Sequence, residues 1–260
     1  MSIKVLAVET SSNACSASLL VYEQENNQLF YFSKFEIAPQ NHTELILPML
    51  DQILAEAEIS ISDVDVLAFG RGPGSFTGVR IAASVIKAIA FAHDLPVVPV
   101  SSLAAMALYA YEAKKEQNVI VLTDARMKEV YLSMGTIVKS ESAKSESNLL
   151  SIQVKEELLS PEEALVTVSS LLKENANNTY VATGNAWDIY QDKFTDLLND
   201  RQLERLKDEY PNAKQIAYLG LIKYLEDDVD NAISALPVYL RNNVAKKSQV
   251  ANTQQLNLQP

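Results

Sequence analysis

The chain has 260 residues, 48% hydrophobic and 21% charged, with a net charge of −11; it can close one large core or two modest ones, and its composition excludes a chain disordered throughout. The acidic balance excludes a stand-alone nucleic-acid binder, since neutralising phosphates takes a basic surface that this sequence cannot spare. The single cysteine, Cys15, excludes an internal disulfide and a thiolate zinc cluster, and the apolar run at residues 3–8 is too short for a signal core or a membrane span, so the expected location is the cytosol.

Residues 4–8 and 14–22 read as strands joined by the polar turn Glu9-Thr10-Ser11-Ser12-Asn13, and residues 29–37 as a third strand. Asn41 is the expected cap, and Glu44 the capping-box partner, of a helix to residue 58, with an apolar stripe from Leu45 through Met49 and Ile53 and a bend at Pro48. A buried strand at 64–69, a glycine loop, a helix over 79–92 and a short strand at 97–100 follow. Ser101 or Ser102 then caps a helix to residue 115.

From there the order restarts. A strand at 119–123 runs into Asp124-Ala125-Arg126, followed by a strand at 129–138, a polar insert at 139–148 read as a mobile loop, and a strand at 149–154. Ser160-Pro161-Glu162-Glu163 is the clearest helix start in the chain, with a cap, proline at the first helical position and glutamate at the third. A strand at 180–183 leads to Gly184, and helices cover 187–198 and 213–226. Each half is therefore βββαβα, with Glu9 and Asp124 at matching strand ends. The expected fold is α/β, the duplicated architecture of the actin, sugar kinase and Hsp70 ATPases. Its subdomains, 1–104 and 105–240, face one another across a cleft, and an Asn/Gln-rich tail at 241–260 frays.

Four of the seven glycines, Gly70, Gly72, Gly74 and Gly78, fall between Phe69 and Arg80. A glycine turn entering a helix suggests a phosphate cradle. Yet Gly78 is followed by Val79-Arg80 rather than Lys-Ser/Thr, and the loop comes too late for a dinucleotide fingerprint. Ser75 resembles a nucleophile elbow, but only His42 and His93 could serve it as base, and both sit among apolar helical neighbours. Neither histidine forms a His-x-x-x-His pair, so no helical metal site of that kind is expected. Gly72, Gly74 and Gly78 then read as geometry, with Ser75 or Thr77 as the helix cap. In the helix itself only Arg80, Ser84 and Lys87 interrupt an apolar surface that continues to Phe91, so it must be covered on more than its sheet side. The alternative reading is an enzyme in its own right: a peptidase using Ser75, or a weak nucleotide hydrolase using Glu9 and Asp124.

Gly-Pro-Gly-Ser-Phe-Thr-Gly-Val-Arg-Ile at residues 72–81 resembles the signature of the bacterial TsaB (YeaZ) family of tRNA threonylcarbamoyladenosine biosynthesis proteins. Val8-Glu9-Thr10-Ser11, Asp124-Ala125-Arg126 with Glu129-Val130-Tyr131, and Pro237-Val238-Tyr239-Leu240-Arg241 agree in order and spacing. Glu9 departs from the family's usual Asp. The resemblance implies an actin-like fold and a subunit that is not itself catalytic. That subunit docks on the paralogous transferase TsaD, which modifies the adenosine beside the anticodon of ANN-decoding tRNAs, and the ATPase TsaE joins them. It further implies that helices 41–58 and 79–92 form the shared interface, for which Leu45, Met49, Ile53, Ala83, Ser84, Lys87 and Phe91 are the contributors chosen by face. The same surface pairs with itself, giving a homodimer when TsaD is absent. No metal is expected. Glu9 and Asp124 mark a degenerate cleft for weak ATP or ADP binding, and tRNA is held through the complex.

Overall fold

The structure, a computed structural model, describes residues 1–140, 149–207 and 210–241. Most of the 139–148 insert and all of the tail beyond Arg241 therefore lie outside the described residues.

Three antiparallel strands open the chain: β1 (Ser2–Glu9), β2 (Ala14–Glu23) and β3 (Gln28–Ile37). Helix α1 (His42–Glu56), a 3-10 turn at Ile61–Asp63, β4 (Val66–Gly72), α2 (Phe76–His93), β5 (Val97–Ser101) and α3 (Ser102–Lys114) complete the first half. The sheet order is β3-β2-β1-β4-β5, with β4 parallel to β1 and β5 parallel to β4. The apolar runs of β1 and β4 are buried on both faces, as central parallel strands require.

The second half repeats the plan with β6 (Asn118–Arg126), β7 (Glu129–Lys139), β8 (Leu150–Leu159), α4 (Pro161–Glu174), β9 (Tyr180–Thr183), α5 (Ala186–Ile189), α6 (Gln191–Leu198), β10 (Leu203–Arg205) and α7 (Ala213–Leu225). Its sheet runs β10-β9-β6-β7-β8, the same arrangement as the first. The duplicated actin-like architecture is present, and each half closes with one further βα unit beyond βββαβα; of these four elements, the expected strand at 97–100 and helices ending at 115 and 226 are found, and β10 is the addition. β5–α3 in the first half corresponds to β10–α7 in the second. β10 has only three residues and is partly exposed, so it leaves no periodic signal.

The last helix of each half packs across to the other. α7 lies over β1, β2, β4 and β5 of the first sheet, while α3 packs on β6, β7 and β9 of the second as well as on its own. Both are apolar around the whole circumference, and sandwiching between two sheets satisfies that pattern. The layers are therefore α1 and α2, the first sheet, α3 and α7, the second sheet, and α4 to α6. Ala104, Ala105 and Leu108 of α3 join the first sheet's inner core with Ile216, Ala217 and Leu221 of α7, while Leu103, Met106 and Ala107 join the second.

Two local signals differ from the sequence reading, and one of the clearest is present. Ser160 and Glu163 form the expected capping box. Asn41 precedes α1 without a side-chain cap bond and no box forms with Glu44. Its backbone, at φ −100 and ψ 9, leaves the extended region from which a capping side chain reaches the first turn, and its carbonyl accepts from Glu44 and Leu45 instead. The helix expected over 187–198 is two short ones broken at Tyr190, whose hydroxyl donates to Asp124 Oδ1 at 3.2 Å.

Candidate functional site

The glycine loop is a strand-to-helix junction pressed against the β1–β2 turn. Ser75 caps α2, its Oγ accepting from the Gly78 N–H at 3.3 Å, and its own N–H donates to Ser11 O at 2.7 Å. Thr10 Oγ1 donates to Gly78 O at 2.7 Å. A side chain at Gly78 would overlap the Thr10 carbonyl oxygen, so glycine there lets α2 start against the turn. In an anion cradle these groups would face a ligand; here backbone and hydroxyl groups of the two loops satisfy each other. Thr77 is exposed. Neither histidine is hydrogen-bonded to the Ser75 hydroxyl: the His42 ring meets Ser12 O at 2.9 Å, and His93 ends α2, roughly 27 Å away at 1.5 Å per residue.

Glu9 is fully buried. Its Oε1 accepts from the Ser11 N–H at 2.5 Å and its Oε2 from Ser102 Oγ at 2.6 Å. Burial pushes its carboxyl above the ordinary value, opposed by the bonds from Ser102 and Ser11. Asp124, with its side chain 8% exposed, accepts from the Arg126 N–H at 3.1 Å and from Tyr190, and pairs with the Arg126 guanidinium at 3.6 Å. The structure does not bring Glu9 and Asp124 together: each carboxylate is satisfied within its own half. Among the described residues, no three His, Cys, Asp or Glu side chains cluster as metal ligands would. The two halves are bridged by Arg71 of β4, whose guanidinium meets Glu156 of β8 at 2.9 Å, and Ser101 also donates to Glu156.

The turn between β6 and β7 carries backbone strain. Arg126, Met127 and Lys128 have φ of 63, 55 and 61, all in the left-handed region that costs non-glycine residues roughly 1–2 kcal/mol each. Positive φ at both central residues is the pattern of a type I′ hairpin, which favours Asn-Gly. Arg241 caps this turn, donating to Glu129 Oε2 at 2.8 Å and Ala125 O at 3.0 Å. Sequence reasoning placed Arg241 in a motif without this role, since nothing local to the motif shows which turn it reaches.

Helix α2 meets the requirement for cover on more than one side. Ala82, Ala83, Ile86 and Ala90 face the core that also holds Ile46, Met49 and Ile53 of α1. Among the described residues it is the one helix apolar and long enough to cross a membrane by composition and length, and its inner face is spent on this packing. The interface contributors separate accordingly. Ile53, at 0% exposed, Ala83 and Met49 lie in the chain's own core, so they brace the helix pair rather than present themselves. Leu45 is half-buried, Ser84 is exposed and Phe91 is 80% exposed. Lys87 Nζ donates to Ile233 O at 3.2 Å, and Arg80 lies 3.5 Å over the Phe76 ring while its Nε donates to Tyr239 Oη at 2.9 Å. Periodicity could not separate these sets, because the apolar stripes are broader than one face.

The family model described as TsaD, tRNA N6-adenosine threonylcarbamoyltransferase, matches residues 34–249. The tRNA threonylcarbamoyladenosine biosynthesis protein TsaB of Haemophilus influenzae is 39% identical over 94% of this chain and 96% of its own length. That of Escherichia coli is 34% identical over 94% and 97%. The solved structure of YeaZ from Pseudomonas aeruginosa superposes with a TM-score of 0.71 at 29% identity, covering 92% of this chain and 100% of that one. The chain belongs to the TsaB (YeaZ) family, within the wider family described by the TsaD model.

Proposed function

We propose that this chain acts in tRNA threonylcarbamoyladenosine biosynthesis as a non-catalytic subunit that binds and activates a TsaD-like transferase through the outer faces of α1 and α2. The observation that carries this reading is the surface of that helix pair. α1 contains Glu44, Asp51 and Glu56 and no lysine or arginine, whereas α2 contains Arg80 and Lys87 and no acid. Beside the exposed Phe91 and Ser84, this gives two adjacent faces of opposite sign, suited to a related helix pair docking antiparallel. A groove of about 170 Å3 between β3 and α1, lined by Phe35, Leu45, Pro48 and Met49 among others, continues the surface.

A homologous fold on the partner would present such a pair, and a second copy of this chain would do so when the transferase is absent. A TsaE-like ATPase joins the assembly. With −11 net charge here, tRNA is held mainly by the transferase. Weak ATP or ADP binding belongs to the assembled complex rather than to the Glu9 turn, whose polar groups are satisfied internally. The test is co-elution with a TsaD-like transferase. The pair S84E and F91E, both at exposed positions, abolishes co-elution while the far-ultraviolet spectrum and melting profile stay those of the parent; unchanged co-elution overturns the interface.

A further inference from the structure

Residues 230–241 leave the end of α7 and run across the outside of the first half. Asp230 and Val97 exchange backbone hydrogen bonds, each of 2.8 Å, at the β5 edge. The Ile233 carbonyl accepts from Lys87, and Ala235 is fully buried in the core cluster that holds Ala83, Ile86 and Ala90 of α2. The Val238 N–H donates to Arg71 O at 2.9 Å, just before the glycine loop. Tyr239 packs on the Phe76 ring at 5.7 Å and accepts from Arg80. The segment then reaches the other half, where the Arg241 guanidinium donates to Glu129, Ala125 O and Arg126 O. None of these contacts is repetitive secondary structure. The path is fixed by one point at each element it crosses, and the point at the far end is the one with several charge-assisted bonds.

We propose that residues 230–241 form a strap and that Arg241 is its clasp, a positioning residue that fixes the outer face of α2 in one half by gripping the β6–β7 turn of the other. The strap lies along α2 between Arg80 and Lys87, so the geometry of that face depends on a contact made outside the first half. This concerns the chain's own conformation and holds whether or not α2 meets a transferase.

The experiment is amide hydrogen exchange on the full chain, read by mass spectrometry for the strap, the first turns of α2, the β6–β7 turn and strands β1 and β4. In R241A, exchange of the Val238-containing segment and of the start of α2 accelerates at least tenfold, with β1 and β4 unchanged. E129Q, which keeps the side-chain volume, gives the same pattern with smaller amplitude. The charge swap R241E with E129R restores part of the protection that R241E loses. Acceleration confined to the β6–β7 turn, or parental exchange at Val238 in R241A, overturns the proposal. Should R241A lose protection in β1 and β4 as well, E129Q decides between the same two patterns.

Discussion

The Glu9 carboxylate occupies the space where a side chain on Gly70 would begin: a Cβ built on Gly70 overlaps Glu9 Oε2 and sits 3.0 Å from Ser102 Oγ. The longer acid at the β1 terminus and the glycine in β4 are one packing unit. Gly70→Ala should destabilise the chain by about 2–3 kcal/mol, because the displaced carboxylate is fully buried and must give up its hydrogen bonds from Ser11 and Ser102. Shortening the acid relieves the overlap, so Glu9→Asp in the Gly70→Ala background should recover at least about 1 kcal/mol. Urea unfolding of the four chains in a double-mutant cycle checks this, and additive costs would separate the two residues.

The burial of Glu9 also sets a pH dependence. Its folded pKa lies above its unfolded value of 4.5, so the folded state holds the proton more tightly. The associated stability is present below pH 4.5 and is lost as pH rises through the folded pKa. Glu9→Gln removes the charge and keeps an amide for the Ser11 and Ser102 contacts. Compared at neutral pH the variant should be the more stable chain, and its advantage should shrink on acidification towards pH 4. Denaturant midpoints measured across that range test the sign, and an advantage that grows on acidification contradicts it.

Gly78 is a second point where backbone meets backbone. Its missing side chain admits the Thr10 carbonyl, and neither partner can rotate away as a flexible side chain could. Gly78→Ala should therefore cost about 3 kcal/mol or more, well beyond the gain of roughly 1 kcal/mol that alanine ordinarily brings inside a helix. A thermal melt reads the result directly, and a neutral or stabilising outcome would remove the close approach from the account.

The β6–β7 turn offers the opposite sign. Lys128 holds φ 61 in a solvent-facing hairpin position, where glycine pays no Cβ penalty. Lys128→Gly should stabilise the chain by about 1 kcal/mol, the relieved strain of roughly 1–2 kcal/mol being offset in part by the freer unfolded chain. Equilibrium unfolding suffices to check it.

Much of the fold was legible because the residues that specify it act locally. Ser75 beside a glycine loop, the Ser160–Glu163 box and the apolar run of β4 each declare an element by themselves. The reciprocal exchange of α3 and α7 was not legible, since a helix apolar on every side points to burial without saying against what. Leu45, Met49, Ile53, Ala83, Ser84, Lys87 and Phe91 came from helical faces, and the structure divides them: the first turn of a broad stripe looks the same whether it packs inward or out. Glu9 and Asp124 matched in register along the two halves, yet register says nothing of the partners that satisfy each carboxylate. The strap was visible only as a motif, because its anchoring contacts are isolated ones to residues more than a hundred positions away.

On the proposed function, this chain supports tRNA modification through a surface and not through a catalytic group. Mass-spectrometric quantitation of N6-threonylcarbamoyladenosine in tRNA, from cells in which variants of this chain replace the native one, tests it most directly. Ser75→Ala and Asp124→Ala should restore modification to the parental level, whereas the S84E and F91E pair should leave it near the level of cells lacking the chain. Loss of modification with Ser75→Ala or Asp124→Ala in a folded chain, together with full modification in the S84E and F91E pair, would contradict the account.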